Sequence, residues 1–170
     1  MNCRAVAFAA GRELAPFVDD NYRKRALYLV VDGQDAYIPE RLHFDRSELL
    51  LGETRHMSIA ARCLLTRSTD GHLRQRAVRS ILEHQEIWVI PFIVLLLGDY
   101  VVEVVNEIFP PLLGFDRLAY ADFVRRNRAA MRVLRAKATS YWDAHYREAY
   151  PIRNSYPGLA ALSQLENWAS

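Results

Sequence analysis

Cysteine, lysine, glycine and long apolar runs are all scarce in this chain, and each scarcity removes a class of function. Cys3 and Cys63 are the only cysteines. One lies in the first few residues and the other inside the apolar run Ala60 to Leu65, so they set up neither a disulfide framework nor a thiolate metal site. Cys63 reads as a small buried thiol, and the expected location is a reducing, cytoplasmic compartment. The seven glycines are scattered. They form no phosphate-cradling loop and no Gly-x-Ser-x-Gly elbow, which leaves nucleotide-dependent and serine-hydrolase chemistry without support. Histidines stand at 43, 56, 72, 84 and 145, with no His-x-x-x-His pair, so neither a metal nor a cofactor is expected. The longest apolar run, Ile87 to Leu97, falls well short of the ~20 residues a bilayer crossing needs. It reads as a buried helix, and no membrane span is expected. At the start, Ala5 to Ala10 is shorter than the ~7–15 apolar residues of a signal peptide and follows a single arginine, in keeping with a cytoplasmic protein.

What the chain does have is apolar residues and arginine. With 51% hydrophobic residues over 170 positions and a net charge of +2, one domain over residues 1–170 has enough apolar surface to offset the entropy of folding. Lysine is limited to Lys24 and Lys137, so nearly all the positive charge is arginine. A GC-rich coding sequence produces that bias by itself, although the guanidinium fork also suits phosphates and carboxylates.

The domain divides into an irregular part, residues 1–52, and a helical core, residues 53–170. Leu27 to Val31 and Asp35 to Ile38 are β-rich runs around Asp32-Gly33-Gln34, which predicts a β-hairpin at about 27–38. Two strands alone are marginal in water, so the hairpin needs helices behind it or a third strand, for which Ala5 to Ala9 is the candidate. Thr54 or Ser58 caps a helix to about Arg67, and Asp70 caps another to about His84. A third helix begins at Ile87 with Pro91 in its first turn, where proline is tolerated. Asp99 to Phe109 follows, with Val101, Val104, Val105 and Ile108 on one side. Asp116 caps a long helix predicted to reach about Ala149, whose apolar stripe includes Phe123, Asn127, Met131, Leu134, Tyr141 and His145. Leu159, Leu162 and Leu165 predict a short terminal helix.

In the middle of the chain, Asp70, Leu73-Arg74, Ala77 and Ile81 follow an order of Asp, an aliphatic residue with Arg, a small residue and an aliphatic. This resembles the second helix of a HEAT-like repeat. In that pattern the Asp caps, the small residue admits the paired helix and the aliphatics face the shared core. The resemblance covers about residues 57–109 and implies two helical hairpins in tandem, with Asp70 and Asp99 equivalent. Asn106 and Gly98 depart from the pattern in the second unit. The expected fold is therefore mainly α: HEAT-like hairpins capped by the long helix, with a small N-terminal β-hairpin. The resemblance also implies binding of proteins or nucleic acids.

Three groups of residues are candidates for function. Asn127, Tyr141 and His145 are polar positions in an apolar stripe and form a candidate polar pocket, which is the basis of an alternative reading as a small-molecule enzyme. Asp99, Glu103 and Glu107 recur at i, i+4, i+8 and are expected to form an acidic row. Between residues 117 and 137, seven cations oppose Asp122 alone, a net of +6. Arg125, Arg126 and Arg132 belong to that segment and, with the acidic row, form a candidate interaction surface. The favoured reading is a non-enzymatic helical module for a protein partner, of the inhibitor or immunity kind. Nucleic-acid binding through 117–137 is the further alternative, but +2 overall is a weak field for a polyanion. The expected outcome of an electrophoretic test is no retardation of DNA or RNA at any salt. Retardation that falls linearly with log salt, and that Ala at 125, 126 and 132 removes without loss of stability, contradicts this expectation.

Overall fold

The computed structural model describes residues 14, 25–44, 57–84 and 86–170, and its architecture is mainly α with one two-stranded antiparallel sheet. β1 (Ala26–Val31) and β2 (Gln34–Pro39) pair from Ala26 opposite Pro39 to Val31 opposite Gln34. Asp32 and Gly33 between them have φ of 51° and 72°. Two successive positive φ values are what the twist of a two-residue hairpin turn demands, and Asp-Gly tolerates them. Alternation along the strands buries Leu29, Val31 and Ile38 in the main core and leaves Tyr28 and Tyr37 exposed on the other face.

α1 (Ile59–Leu65) starts at Ser58, whose side chain accepts the Ala61 N–H at 3.2 Å. Thr54 lies outside the described residues. α2 (Gly71–Arg79) starts at Asp70, which accepts the His72 N–H at 3.0 Å, and gives way to turns well before His84. α3 (Ile90–Val94) continues a 3-10 turn, Ile87–Val89, and leads into another, Leu95–Gly98, with Pro91 in its first turn. This stretch is apolar on every side, so it runs through the interior: Val89, Val94, Leu96 and Leu97 have no exposed surface. α4 (Val102–Ile108) follows. α1 packs on α2 and α2 on α4, so the second helix of one expected pair lies against the second helix of the next.

The long helix expected after Asp116 is present as α5 (Arg117–Arg126) and α6 (Arg128–Tyr141), ending in a π-helical turn, Trp142–Tyr146. Asp116 caps it as expected, accepting from Leu118 and Ala119. The break falls at Asn127, whose φ of −118° and ψ of 33° leave the helical region. Its side chain explains why. Asn127 Oδ1 accepts the Val30 N–H, and Nδ2 donates to the Val30 carbonyl and to that of Phe123, each at 2.8 Å. One amide thus satisfies the open edge of β1 in the way a neighbouring strand would. The third strand considered at Ala5 to Ala9 lies outside the described residues.

α7 (Pro157–Trp168) docks against α4, α5, α6 and the Leu95–Gly98 turn, burying Leu159, Ala161, Leu162 and Leu165. Its Gly158 is required by contact: a Cβ there would stand 2.8 Å from the Leu97 carbonyl oxygen. No helix among the described residues is long and apolar enough to cross a membrane.

Asn127→Ala removes the side-chain bonds to Val30 and strands a backbone donor and acceptor. At about 1–3 kcal/mol for each stranded group, the expected loss is about 2–6 kcal/mol. It should be read as a lower urea midpoint with the slope of the transition unchanged. A midpoint equal to wild type contradicts this role.

Candidate functional site: an arginine-lined cleft over a buried carboxylate

Asp99 follows the last turn of the interior α3 stretch and is only 1% exposed. A carboxylate taken out of water is tolerated only when its oxygens are fully engaged. Arg74, itself without exposed surface, meets it bidentately, Nε to Oδ2 and Nη2 to Oδ1, both at 2.8 Å. Arg41 Nη2 adds a bond to Oδ2 at 2.9 Å, and the Val101 N–H one to Oδ1 at 3.0 Å. The remaining Arg74 nitrogen, Nη1, donates to the carbonyls of Ser68 and Thr69. Burial alone would lower the Arg74 pKa, but the Asp99 carboxylate more than offsets it and the guanidinium is held above its ordinary value. The Tyr100 ring lies 5.1 Å from its Cζ.

Backbone pairing brings further arginines to the same place. The Glu40 N–H donates to the Arg25 carbonyl, extending the hairpin by one bond, and Leu42 bridges in parallel to the α1–α2 turn through Leu42 N–H to the Arg67 carbonyl and Thr69 N–H to the Leu42 carbonyl. Arg25, Arg41 and Arg67 therefore converge from three separate segments. Arg67 is 2% exposed. Its Nε and Nη2 donate to the carbonyls of Pro39 and Glu40 at 3.1 and 2.6 Å, while Nη1 is buried with no hydrogen-bond partner. Arg67 makes no ion pair among the described residues. Burial, reinforced by the neighbouring Arg41, pushes it down to about 9, so it still carries its charge at neutral pH.

These side chains line a cleft of about 370 Å³. Its charged lining is Arg25, Arg41, Arg67 and Lys137 with a single carboxylate, Glu40, which pairs with Lys137. The Lys137 ammonium holds the Glu40 carboxyl below its usual range. The rest of the lining is Leu27, Leu95, Leu134, Gly98 and two tyrosines, Tyr100 and Tyr141, whose rings meet edge to face at 6.1 Å. Gly98 packs closely on α6 there, and a Cβ would stand 2.9 Å from Leu134 Cδ2. With Arg74 and Asp99 behind the lining, five cations against two carboxylates leave an excess of three positive charges among the described residues. No cluster of metal-ligating side chains exists among the described residues.

Of the three residues expected to share a polar pocket, Tyr141 alone lines the cleft. Asn127 is spent on β1, and His145 is exposed, edge to face with Tyr146 at 6.4 Å. The acidic row is likewise divided. Asp99 is buried ahead of α4, Glu103 is exposed in its first turn, and Glu107 binds Arg79 at 2.5 Å and Gln75 at 2.8 Å. Arg125 and Arg132 are exposed, and Arg126 pairs with Asp122 in its own helix at 2.7 Å. Elsewhere in the basic segment, Arg135 bonds Glu166 through two nitrogens and Lys137 turns to the cleft. The cleft residues Arg25, Glu40, Arg41, Arg67 and Tyr100 were not singled out by the sequence, nor was the partnership of Arg74 with Asp99. One signal was present: Arg74 stands three and four positions before Ala77 and Val78, on the buried face of α2, and a buried cation requires an anion.

Two substitutions separate the roles of these arginines. Arg74→Met strands the Asp99 carboxylate and should cost about 3–5 kcal/mol. Arg67→Met removes a buried cation that has no ion pair among the described residues but also its bonds to the Pro39 and Glu40 carbonyls, so the loss should be about 1–2 kcal/mol, well below that of Arg74→Met. Chemical denaturation of both variants checks this, and equal losses would show that Arg67 is structural as well.

Comparison of the chain with protein-family models, with curated proteins and with solved structures finds no match.

Proposed function

We propose that the protein is a non-enzymatic, single-domain binding module, built of HEAT-like helical pairs, that holds its ligand by an anionic group received in the arginine-lined cleft. The observation that carries this reading is Arg67: a guanidinium 2% exposed, lining the cleft, with Nη1 unpartnered. A buried cation without a counter-ion among the described residues is costly to keep, and such departures from the packing rules concentrate where a ligand completes the arrangement. The cleft volume lies within the ~300–1,000 Å³ typical of sites for small molecules or single chemical groups. The HEAT-like reading gains support from Arg74, which ties the Asp70-capped helix of the first pair to Asp99 of the second. A buried free thiol at Cys63 suits a cytoplasmic setting.

Thermal unfolding in inorganic phosphate or sulfate, against chloride at equal ionic strength, tests the reading. An anion at a hundred times its Kd stabilises by about 2.7 kcal/mol, which for a chain of this length is a rise in Tm of roughly 5–10 °C. The rise is expected in wild type and absent in Arg67→Met. An equal rise in chloride, or one retained by Arg67→Met, contradicts the proposal.

A further inference from the structure

We infer that the anionic group taken by the cleft is a dianionic phosphate monoester of a small molecule whose apolar body, flat or aliphatic, lies against Leu27, Leu95, Leu134 and Tyr141. This rests on the reading of the cleft as an anion site and names its ligand class.

Charge is the first argument. Arg25, Arg41, Arg67 and Lys137 against Glu40 leave an excess of three. A monocarboxylate would leave two of those charges uncompensated in a partly desolvated site, and a phosphate dianion only one. Donor number is the second. Arg41 and Lys137 are partly committed, to Asp99 and Glu40. Neither Arg67 nor Arg25 makes an ion pair among the described residues. The four cations arrive from four segments: ahead of β1, after β2, after α1, and from α6. Donors so placed suit the three terminal oxygens of a tetrahedral group better than the two coplanar oxygens of a carboxylate, which one guanidinium fork satisfies. Shape is the third. A bare oxyanion fills a small part of about 370 Å³, and the remaining lining of leucines and tyrosine rewards an organic substituent.

The pH dependence separates the two anion classes. A phosphate monoester takes up its second proton near pH ~6, whereas a carboxylate stays singly charged above pH ~5. No histidine among the described residues lines the cleft. Glu40 is held in its charged form by Lys137, and Arg67 at about 9 remains protonated, so a change in affinity between pH 5 and 7.5 belongs to the ligand.

Calorimetric titration of the full chain with phenyl phosphate, benzoate and inorganic phosphate at pH 5 and 7.5 tests the inference. At pH 7.5 phenyl phosphate should bind at least tenfold more tightly than either of the others. Its affinity should fall about tenfold at pH 5, while benzoate does not change. Arg67→Met should cost phenyl phosphate about a hundredfold in affinity at pH 7.5. Tyr141→Ala should weaken phenyl phosphate but leave inorganic phosphate unaffected. Benzoate equal to or tighter than phenyl phosphate, or a phenyl phosphate affinity flat with pH, overturns the phosphate assignment and leaves the anion site standing. Binding of none of the three overturns both.

Discussion

A single buried carboxylate holds this architecture in register. Asp99 draws Arg74 from α2 and Arg41 from the end of β2 onto its two oxygens, while its own backbone joins the interior α3 stretch to α4. Hydrophobic burial supplies most of the free energy of folding but has no direction. The charge-assisted bonds at Asp99 supply direction, because each demands a donor within about 3 Å and a near-linear approach. The hairpin, the α1–α2 turn and the head of α4 therefore have one mutual arrangement that satisfies the buried charge.

That arrangement leaves a surplus. Asp99 is shared by two guanidiniums and Glu40 is taken by Lys137, so no carboxylate among the described residues remains for Arg67, although the Leu42 bridge to the α1–α2 turn fixes it in the same space. Retaining arginine with an orphaned Nη1 is a local cost next to an open cleft. The stability of the fold and the capacity of the cleft thus depend on different arginines of one cluster. Arg74 is held by the protein's own anion, and Arg67 awaits one from outside.

The sequence made the helical class and the hairpin legible because both rest on local rules. Asp32-Gly33 announces a turn needing positive φ, and Ser58, Asp70 and Asp116 announce helix starts that their side chains indeed cap. The cleft was not legible because it rests on contacts between residues far apart in the chain. Asp99 was counted with Glu103 and Glu107 as one helical face, but Asp99 and Val101 have extended ψ of 149° and 105°, so the angular count fails for the first member of the row. Asn127 was placed correctly on the apolar stripe, and its meaning came from Val30, 97 positions away. Arg41 and Arg67 sit in segments between elements, where periodicity carries no signal, and only the parallel bridge through Leu42 brings them together.

The central claim is that the positive charge left over around Asp99 is a place for an external anion. Arginine Nε–Hε resonances in a nitrogen–proton correlation spectrum report on it directly, because each guanidinium is observed separately as phosphate is added. Arg67, Arg41 and Arg25 should shift together along one saturable curve, while Arg74, already closed on Asp99, and the exposed Arg125 and Arg132 should not follow that curve. Uniform, non-saturating shifts across all the exposed arginines, with Arg67 unmoved, would contradict it.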